Sequence, residues 1–135
     1  KDTEVDDDLY VKSDDYVVKD DVIKNIDANT SLEELKSKLN TNAKQFKLIK
    51  NGQEVDIIST GTILVLDNDR SYTLVVTGDI NGDSYHNELD LTLLINHLLD
   101  RTLIQNEIES MASDMNDDGE IDIVDLSIMN KKTLN

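Results

Sequence analysis

Cysteine is absent from this 135-residue chain, which excludes disulfides, thiol chemistry and zinc–thiolate sites. Tryptophan is absent as well, and Phe46 is the one phenylalanine. So few aromatics leave little apolar area to bury even at 38% hydrophobic content, and small domains of that kind often need a staple. With disulfides gone, a bound metal is the remaining candidate. Basic residues are scarce too: 13 Lys and Arg stand against 29 Asp and Glu, a formal net charge of −16. Such a chain repels nucleic-acid phosphates and anionic membrane surfaces. No apolar run approaches the roughly 20 residues of a membrane span. No signal peptide is visible, and the abrupt start at Lys1 is what an excised or processed piece would show.

The acid that is present is unevenly spread. Residues 1–77 carry 10 basic and 16 acidic residues, a net −6, whereas residues 78–135 carry 3 and 13, a net −10 in a shorter piece. The change falls at Gly78, where a strand-like run ends, and this places a domain boundary between 10–77 and 78–135, with 1–9 as an acidic lead-in. Tyr16–Val18 and the alternation through Val22, Ile23 and Ile26 predict extended structure. Ser31 with Glu34 three residues later is a capping-box pattern, and Leu32, Leu35 and Leu39 predict a short helix over 32–39. Asn51-Gly52 between the runs 46–50 and 54–57 predicts a type I′ hairpin, and 62–66 and 72–77 are further strand candidates. The first domain is therefore expected to be a small α+β unit, a mostly antiparallel sheet plus one short helix. It holds no His and no Gly-rich phosphate loop, and its Asp pairs (Asp14-Asp15, Asp20-Asp21) read as solvated turns rather than acid–base dyads. No linker of Gly, Ser or Pro follows it, so the two parts should pack as one unit.

The second part repeats itself. Asp79, Asn81, Asp83, Tyr85, Asn87 and Asp90 occupy slots 1, 3, 5, 7, 9 and 12 of a twelve-residue segment, and an apolar run follows at 91–95. Thirty-five residues later Asp114, Asn116, Asp118, Glu120, Asp122 and Asp125 occupy the same slots, followed by Leu126, Ile128 and Met129. Calcium takes six to eight oxygens at about 2.3–2.6 Å, and EF-hand-type loops supply them from these slots, slot 7 through its backbone carbonyl. The slot-12 carboxylate also meets the positive end of the following helix. A single such string could be an acidic turn; two copies, each followed by a helical pattern, argue for two Ca²⁺ sites. The loops differ, since loop 2 has Gly119 and Ile121 in slots 6 and 8 where loop 1 has Ser84 and His86. A side chain at positive φ costs on the order of 1 kcal/mol, so loop 1 is expected to bind more weakly or with a distorted turn. His86 could be a ligand or a pH sensor but reads first as structural, filling the inter-loop contact or facing solvent, and His97 reads as a surface or partner-facing residue. Both loops end on Asp rather than Glu, and no convincing amphipathic helix precedes either, so each is read as a loop plus its following helix.

That architecture resembles the dockerin family. The resemblance is carried by Gly78-Asp79-Ile80-Asn81-Gly82-Asp83, Asp90-Leu91, Leu94 and Leu98-Leu99, and again by Ala112–Gly119 and Asp125-Leu126. It covers residues 78–135 and implies an all-α module that folds around two calcium ions and docks on a cohesin domain. The upstream domain resembles, in position and size, the X modules that precede dockerins. The resemblance further implies a non-catalytic, secreted bacterial module, extracellular or cell-surface, that attaches its parent protein to a scaffold within a carbohydrate-degrading complex. Carried over from the family, the partner contacts would be Glu88, Leu89, Ile95 and Asn96 in the first repeat. In the second they would be Ile123, Val124, Asn130 and Lys131. Many dockerins have small hydroxyl residues in slots 10 and 11 of both repeats; here Glu-Leu faces Ile-Val, which implies a single binding mode. Ile123 and Val124 are either an exposed apolar anchor or intramolecular core. The second helix is expected to end quickly, in Lys131-Lys132-Thr133-Leu134-Asn135, leaving more of the contact to the first.

Two calcium ions would take the net charge of 78–135 from −10 to −6, so this part is expected to need metal to fold while 10–77 keeps its fold. At a thousandfold excess over Kd, binding to the folded form alone stabilises by about 4 kcal/mol. A calcium sensor without a cohesin partner is the alternative, but Met111, Met115 and Met129 are few for a sensor's Met-rich groove. An enzyme such as a glycosidase is disfavoured, because the clustered carboxylates are already taken as metal ligands.

Overall fold

Strands prevail in the first part because β-branched and alternating residues outweigh helix formers there, and helices in the second because each acidic loop ends in a helix cap. The structure, a computed structural model, describes residues 11–134 except 29, 68–69, 84–86, 102 and 105. The expected lead-in 1–9 lies outside the described residues, as do Ser84, Tyr85 and His86 of loop 1. In chain order the elements are β1 (Val11–Lys12), β2 (Val17–Lys19), β3 (Val22–Ile26), α1 (Leu32–Lys38), β4 (Asn40–Thr41) and β5 (Phe46–Lys50). They continue with β6 (Gln53–Val55), β7 (Ile63–Leu66), β8 (Ser71–Val76), α2 (Glu88–Leu98), α3 (Glu107–Ser113) and α4 (Ile123–Leu134). A sheet-rich N-terminal region is thus followed by a helical C-terminal one.

The main sheet has the order β2-β3-β8-β7-β5-β6, and β1 pairs separately with β4. Its neighbours are antiparallel except β3 and β8, which run parallel with Ile23 opposite Leu74 and Ile26 opposite Val76. The hairpin between β5 and β6 turns at Asn51 (φ 54°) and Gly52 (φ 80°), the two positive values a type I′ turn requires. Helix α1 starts where Ser31 Oγ accepts the Glu34 amide at 3.1 Å. The Glu34 carboxylate, expected to reach back to the cap, accepts Lys38 Nζ at 3.1 Å.

Strand β8 is the hinge of the packing, because successive side chains leave a strand on opposite faces. Leu74 and Val76 join one buried cluster with Ile23, Ile26, Leu35, Leu48 and Leu64. Val75, between them, joins a second with Ile80, Leu94, Ala112 and Met129, against which Val22 of β3 also packs. The helical region therefore rests on apolar residues borrowed from the sheet. The Gly78 amide donates to the Ala112 carbonyl at 2.8 Å across the same junction.

Two expectations need correction. A short helix, α3, does precede loop 2, capped by Asn106, whose Oδ1 accepts the Ile108 amide at 2.7 Å and the Glu109 amide at 3.3 Å. Its apolar stripe (Ile108, Met111, Ala112) is a single helical turn set among acids, and it is held by packing on the second cluster rather than by propensity. Helix α4 ends at Leu134, within the stretch expected to close it, and Lys131 and Lys132 in its last turn favour the negative end of the helix. His97 is half-buried and structural: its Nδ1 accepts the Ile104 amide at 2.9 Å and ties the chain after α2 back onto the helix.

Candidate metal centre

Loop 1 leaves β8 at Gly78 and closes on the first turn of α2. Asn87 caps that helix, its side chain accepting the Leu89 amide at 3.1 Å, and Asp90 is the third residue of the helix. Slots 9 and 12 are therefore the two halves of one capping box. The Asp90 carboxylate is buried and spans the loop: Oδ1 accepts the amides of Ile80 (2.8 Å) and Asn81 (3.1 Å), and Oδ2 that of Asn87 (3.0 Å). Asp79, also buried, accepts the Asp83 amide through Oδ1 at 3.0 Å.

Loop 2 repeats these bonds thirty-five residues on. Asp125 Oδ1 accepts the amides of Met115 (2.9 Å) and Asn116 (3.4 Å), and Oδ2 that of Asp122 (2.9 Å). Asp122 Oδ1 accepts the Val124 amide at 3.0 Å, and Asp114 Oδ1 that of Asp118 at 3.2 Å. The sequence repeat is thus a repeat of geometry.

In each loop the chain gathers three carboxylates that it could hold apart more cheaply. Oxygens of Asp79, Asp83 and Asp90 lie within 4.8 Å of one another, and so do oxygens of Asp114, Asp118 and Asp125. Two oxygens on opposite sides of a calcium ion are about 4.6–5.2 Å apart, so each trio fits one such cation. Burial raises the pKa of Asp90 and of Asp114 above the ordinary carboxylate value, and the backbone amides on each offset this in part. A divalent cation would relieve the same cost by supplying positive charge. Among the other expected ligands, Asn81 Oδ1 accepts the Asp83 amide at 3.3 Å, and Glu120, whose backbone carbonyl would be used, is exposed with its amide on Asp118 Oδ1 at 3.0 Å. Tyr85 lies outside the described residues.

The loops differ in their surroundings, and here the sequence was silent. The Thr60 amide donates to Asp79 Oδ2 at 3.1 Å, and Lys50 Nζ donates to Ser59 Oγ (2.9 Å), the Thr60 carbonyl (2.7 Å) and the Gly82 carbonyl (2.9 Å). Burial lowers the Lys50 pKa, opposed by the nearby Asp79 and Asp83 carboxylates. At loop 2 the sheet reaches only the outside: Lys24 Nζ pairs with Asp117 Oδ1 at 2.8 Å, and Asn25 Nδ2 with Asp117 Oδ2 at 3.3 Å. The Lys24 hydrogen bond holds the Asp117 carboxyl below the usual range. A lone Lys at a strand end or in a sheet carries no sequence signal for either role.

Of the residues named as partner contacts, Glu88, Leu89, Ile123, Val124, Asn130 and Lys131 are exposed, and Ile95 and Asn96 are half-exposed. Leu89 (60% exposed), Ile123 (68%) and Val124 (47%) are apolar side chains left in water at the starts of α2 and α4. The alternative of an intramolecular core for Ile123 and Val124 is thereby removed. Among the described residues no helix is long and apolar enough to cross a membrane. Residues 77–134 match the family model described as the dockerin type I domain. No curated protein and no solved structure matches the chain.

Proposed function

We propose, starting from a C-terminal region that matches the dockerin type I domain, that this chain is a non-catalytic recognition module that binds a cohesin domain in a calcium-dependent way. The module occupies 78–135, and 10–77 is an X-module-like support fused to it without a linker. The observation that carries the reading is the doubled loop, in which a buried slot-12 carboxylate (Asp90, Asp125) ties slots 2, 3 and 9 together through the same backbone amides. Each loop is taken as one EF-hand-type Ca²⁺ site. Asp79, Asn81, Asp83, Asn87 and Asp90 would hold the first ion, with the Tyr85 carbonyl; Asp114, Asn116, Asp118, Asp122 and Asp125 the second, with the Glu120 carbonyl. Calcium supplies concentrated positive charge at each trio.

The chain's own residues then set the binding face. Slots 10 and 11 sit between the slot-9 cap and the slot-12 carboxylate, so fixing those two fixes Glu88-Leu89 and Ile123-Val124 at the starts of α2 and α4. Their unlike chemistry supports one binding orientation, with Ile123 and Val124 as the apolar anchor and Ile95, Asn96, Asn130 and Lys131 along the flanking helix faces. Localisation outside the cell or on its surface, and attachment of a parent protein to a scaffold in a carbohydrate-degrading complex, follow from the same reading.

The test is capture by a panel of immobilised cohesins in calcium and in EGTA, with Ile123→Asp alongside. Retention in calcium alone, lost in the variant, is expected. Calcium binding with no cohesin retained in any case would leave a calcium-binding module without that partner.

A further inference from the structure

We infer that the sheet domain is part of the first calcium site, with Lys50 and the Thr60 segment acting as positioning residues for loop 1. This rests on the calcium reading above and goes beyond it, since it assigns to residues 50 and 60 a role in metal affinity that no loop residue can fill.

In loop 2 the second oxygen of the slot-1 carboxylate is held from within: Asp114 Oδ2 accepts the Gly119 amide of slot 6 at 2.8 Å. In loop 1 the corresponding oxygen, Asp79 Oδ2, accepts the Thr60 amide, which arrives from the segment between β6 and β7. The slot-1 carboxylate of loop 1 thus takes a hydrogen bond from the sheet, and among the described residues that of loop 2 takes its own from the loop. Thr60 is itself fixed, because its Oγ1 donates to the Val76 carbonyl at 3.1 Å and accepts the Val76 amide at 2.9 Å, one strand residue before the loop departs.

Slot 4 points the same way. In both loops it has positive φ, 75° at Gly82 and 57° at Asp117, so backbone conformation alone does not demand glycine there. What demands it in loop 1 is proximity: a Cβ on Gly82 would lie 2.7 Å from the Thr60 carbonyl oxygen and 3.0 Å from Lys50 Nζ. The sheet closes on loop 1 to a distance that only glycine permits, whereas Asp117 uses its side chain to touch Lys24 and Asn25 from outside. Lys50 completes the clamp as a resident cation, bonded to the Gly82 carbonyl in the presence of Asp79 and Asp83. Loop 1 is therefore held by the sheet in addition to its own bonds and is pre-organised to a greater degree than loop 2, which offsets the weaker binding expected from Ser84 in slot 6.

The test is a pair of variants of the full chain beside the wild type. Gly82→Ala wedges the clamp open; calorimetric titration should show one site weakened about tenfold for each charge-assisted hydrogen bond lost, and the other site unchanged. Lys50→Met is read by amide exchange in EGTA, where lost bond and lost charge act in the same direction. The Ile80, Asn81 and Asp83 amides should lose protection that the wild type retains, with no change at Met115 and Asp118. If Gly82→Ala fails to fold, the Lys50→Met arm decides. Two calcium sites of wild-type affinity in Gly82→Ala, or unchanged protection in Lys50→Met, would overturn the inference alone. A wild type that binds no calcium would instead overturn the reading on which it rests.

Discussion

The charge pattern alone makes 78–135 depend on metal to fold, but the Val75 cluster ties it to the sheet, so replacing Asp90 with Ala should destabilise the protein even when no calcium is present. The carboxylate accepts three backbone amides, and the Ile80 bond lies in fully buried surroundings while those from Asn81 and Asn87 are partly buried. Leaving a buried donor unsatisfied costs about 1–3 kcal/mol, and losing each partly buried bond about 0.5–1.5 kcal/mol, roughly 2–6 kcal/mol together. Asp90 is itself costly to bury, as its raised pKa records, and removing it returns part of that sum. The net loss should be about 2–3 kcal/mol, a large share of the roughly 5–15 kcal/mol that holds a typical domain. Urea unfolding followed by circular dichroism in EGTA measures it. Asp90→Asn keeps an oxygen for Ile80 and Asn81 but turns an amide group toward the Asn87 N–H, and should lose less. In calcium the Asp90→Ala deficit should widen, because a metal ligand goes as well. Were Asp90→Ala within about 0.5 kcal/mol of the wild type in EGTA, the bonds that define the loop geometry would contribute nothing, and the argument from them would fail.

Val75→Ala removes two methyl groups from the cluster shared by sheet and helices, so it should cost about 2 kcal/mol, with both regions losing stability together in a urea titration followed by amide NMR. Ile123→Asp and Val124→Asp change exposed positions and should leave the melting midpoint nearly unchanged, so any loss of cohesin capture would be a binding effect. Asp90 and Asp114 have folded pKa values above the unfolded value near 3.9, so each adds stability as pH falls through its folded value, while Asp117, whose pKa is lowered, acts in the opposite sense. Thermal melts in EGTA on an Asp117→Asn background should accordingly show stability rising as pH falls toward the unfolded carboxylate value near 3.9, while calcium affinity, which needs ionised carboxylates, weakens over the same range.

Patterns of local period were legible in the sequence. The Asn51-Gly52 turn, the Ser31 cap, the strands around Ile23, Leu64 and Leu74, and the doubled acidic loop all follow from spacing and residue type within a few positions. Long-range pairing was not. The parallel registry of β3 with β8 joins segments fifty residues apart, and neither carries a mark of its partner. Helix α3 was missed because its stability comes from packing Ile108, Met111 and Ala112 on Val75 and Val22, a surface that exists only once the sheet has formed. Likewise Lys50 and Thr60 become part of the candidate site through tertiary approach to Gly82 and Asp79, and nothing in their local sequence announces it. The slots of the loops were readable because consecutive residues of one short segment must converge on one point.

The most direct test of the account is a calcium titration by isothermal calorimetry on the EGTA-stripped full chain, with amide NMR at each point. The account predicts two sites, with the resonances of 114–122 gaining order on binding and those of 79–83 ordered from the start. Absence of calcium binding, with both loops unchanged by the metal, would contradict it.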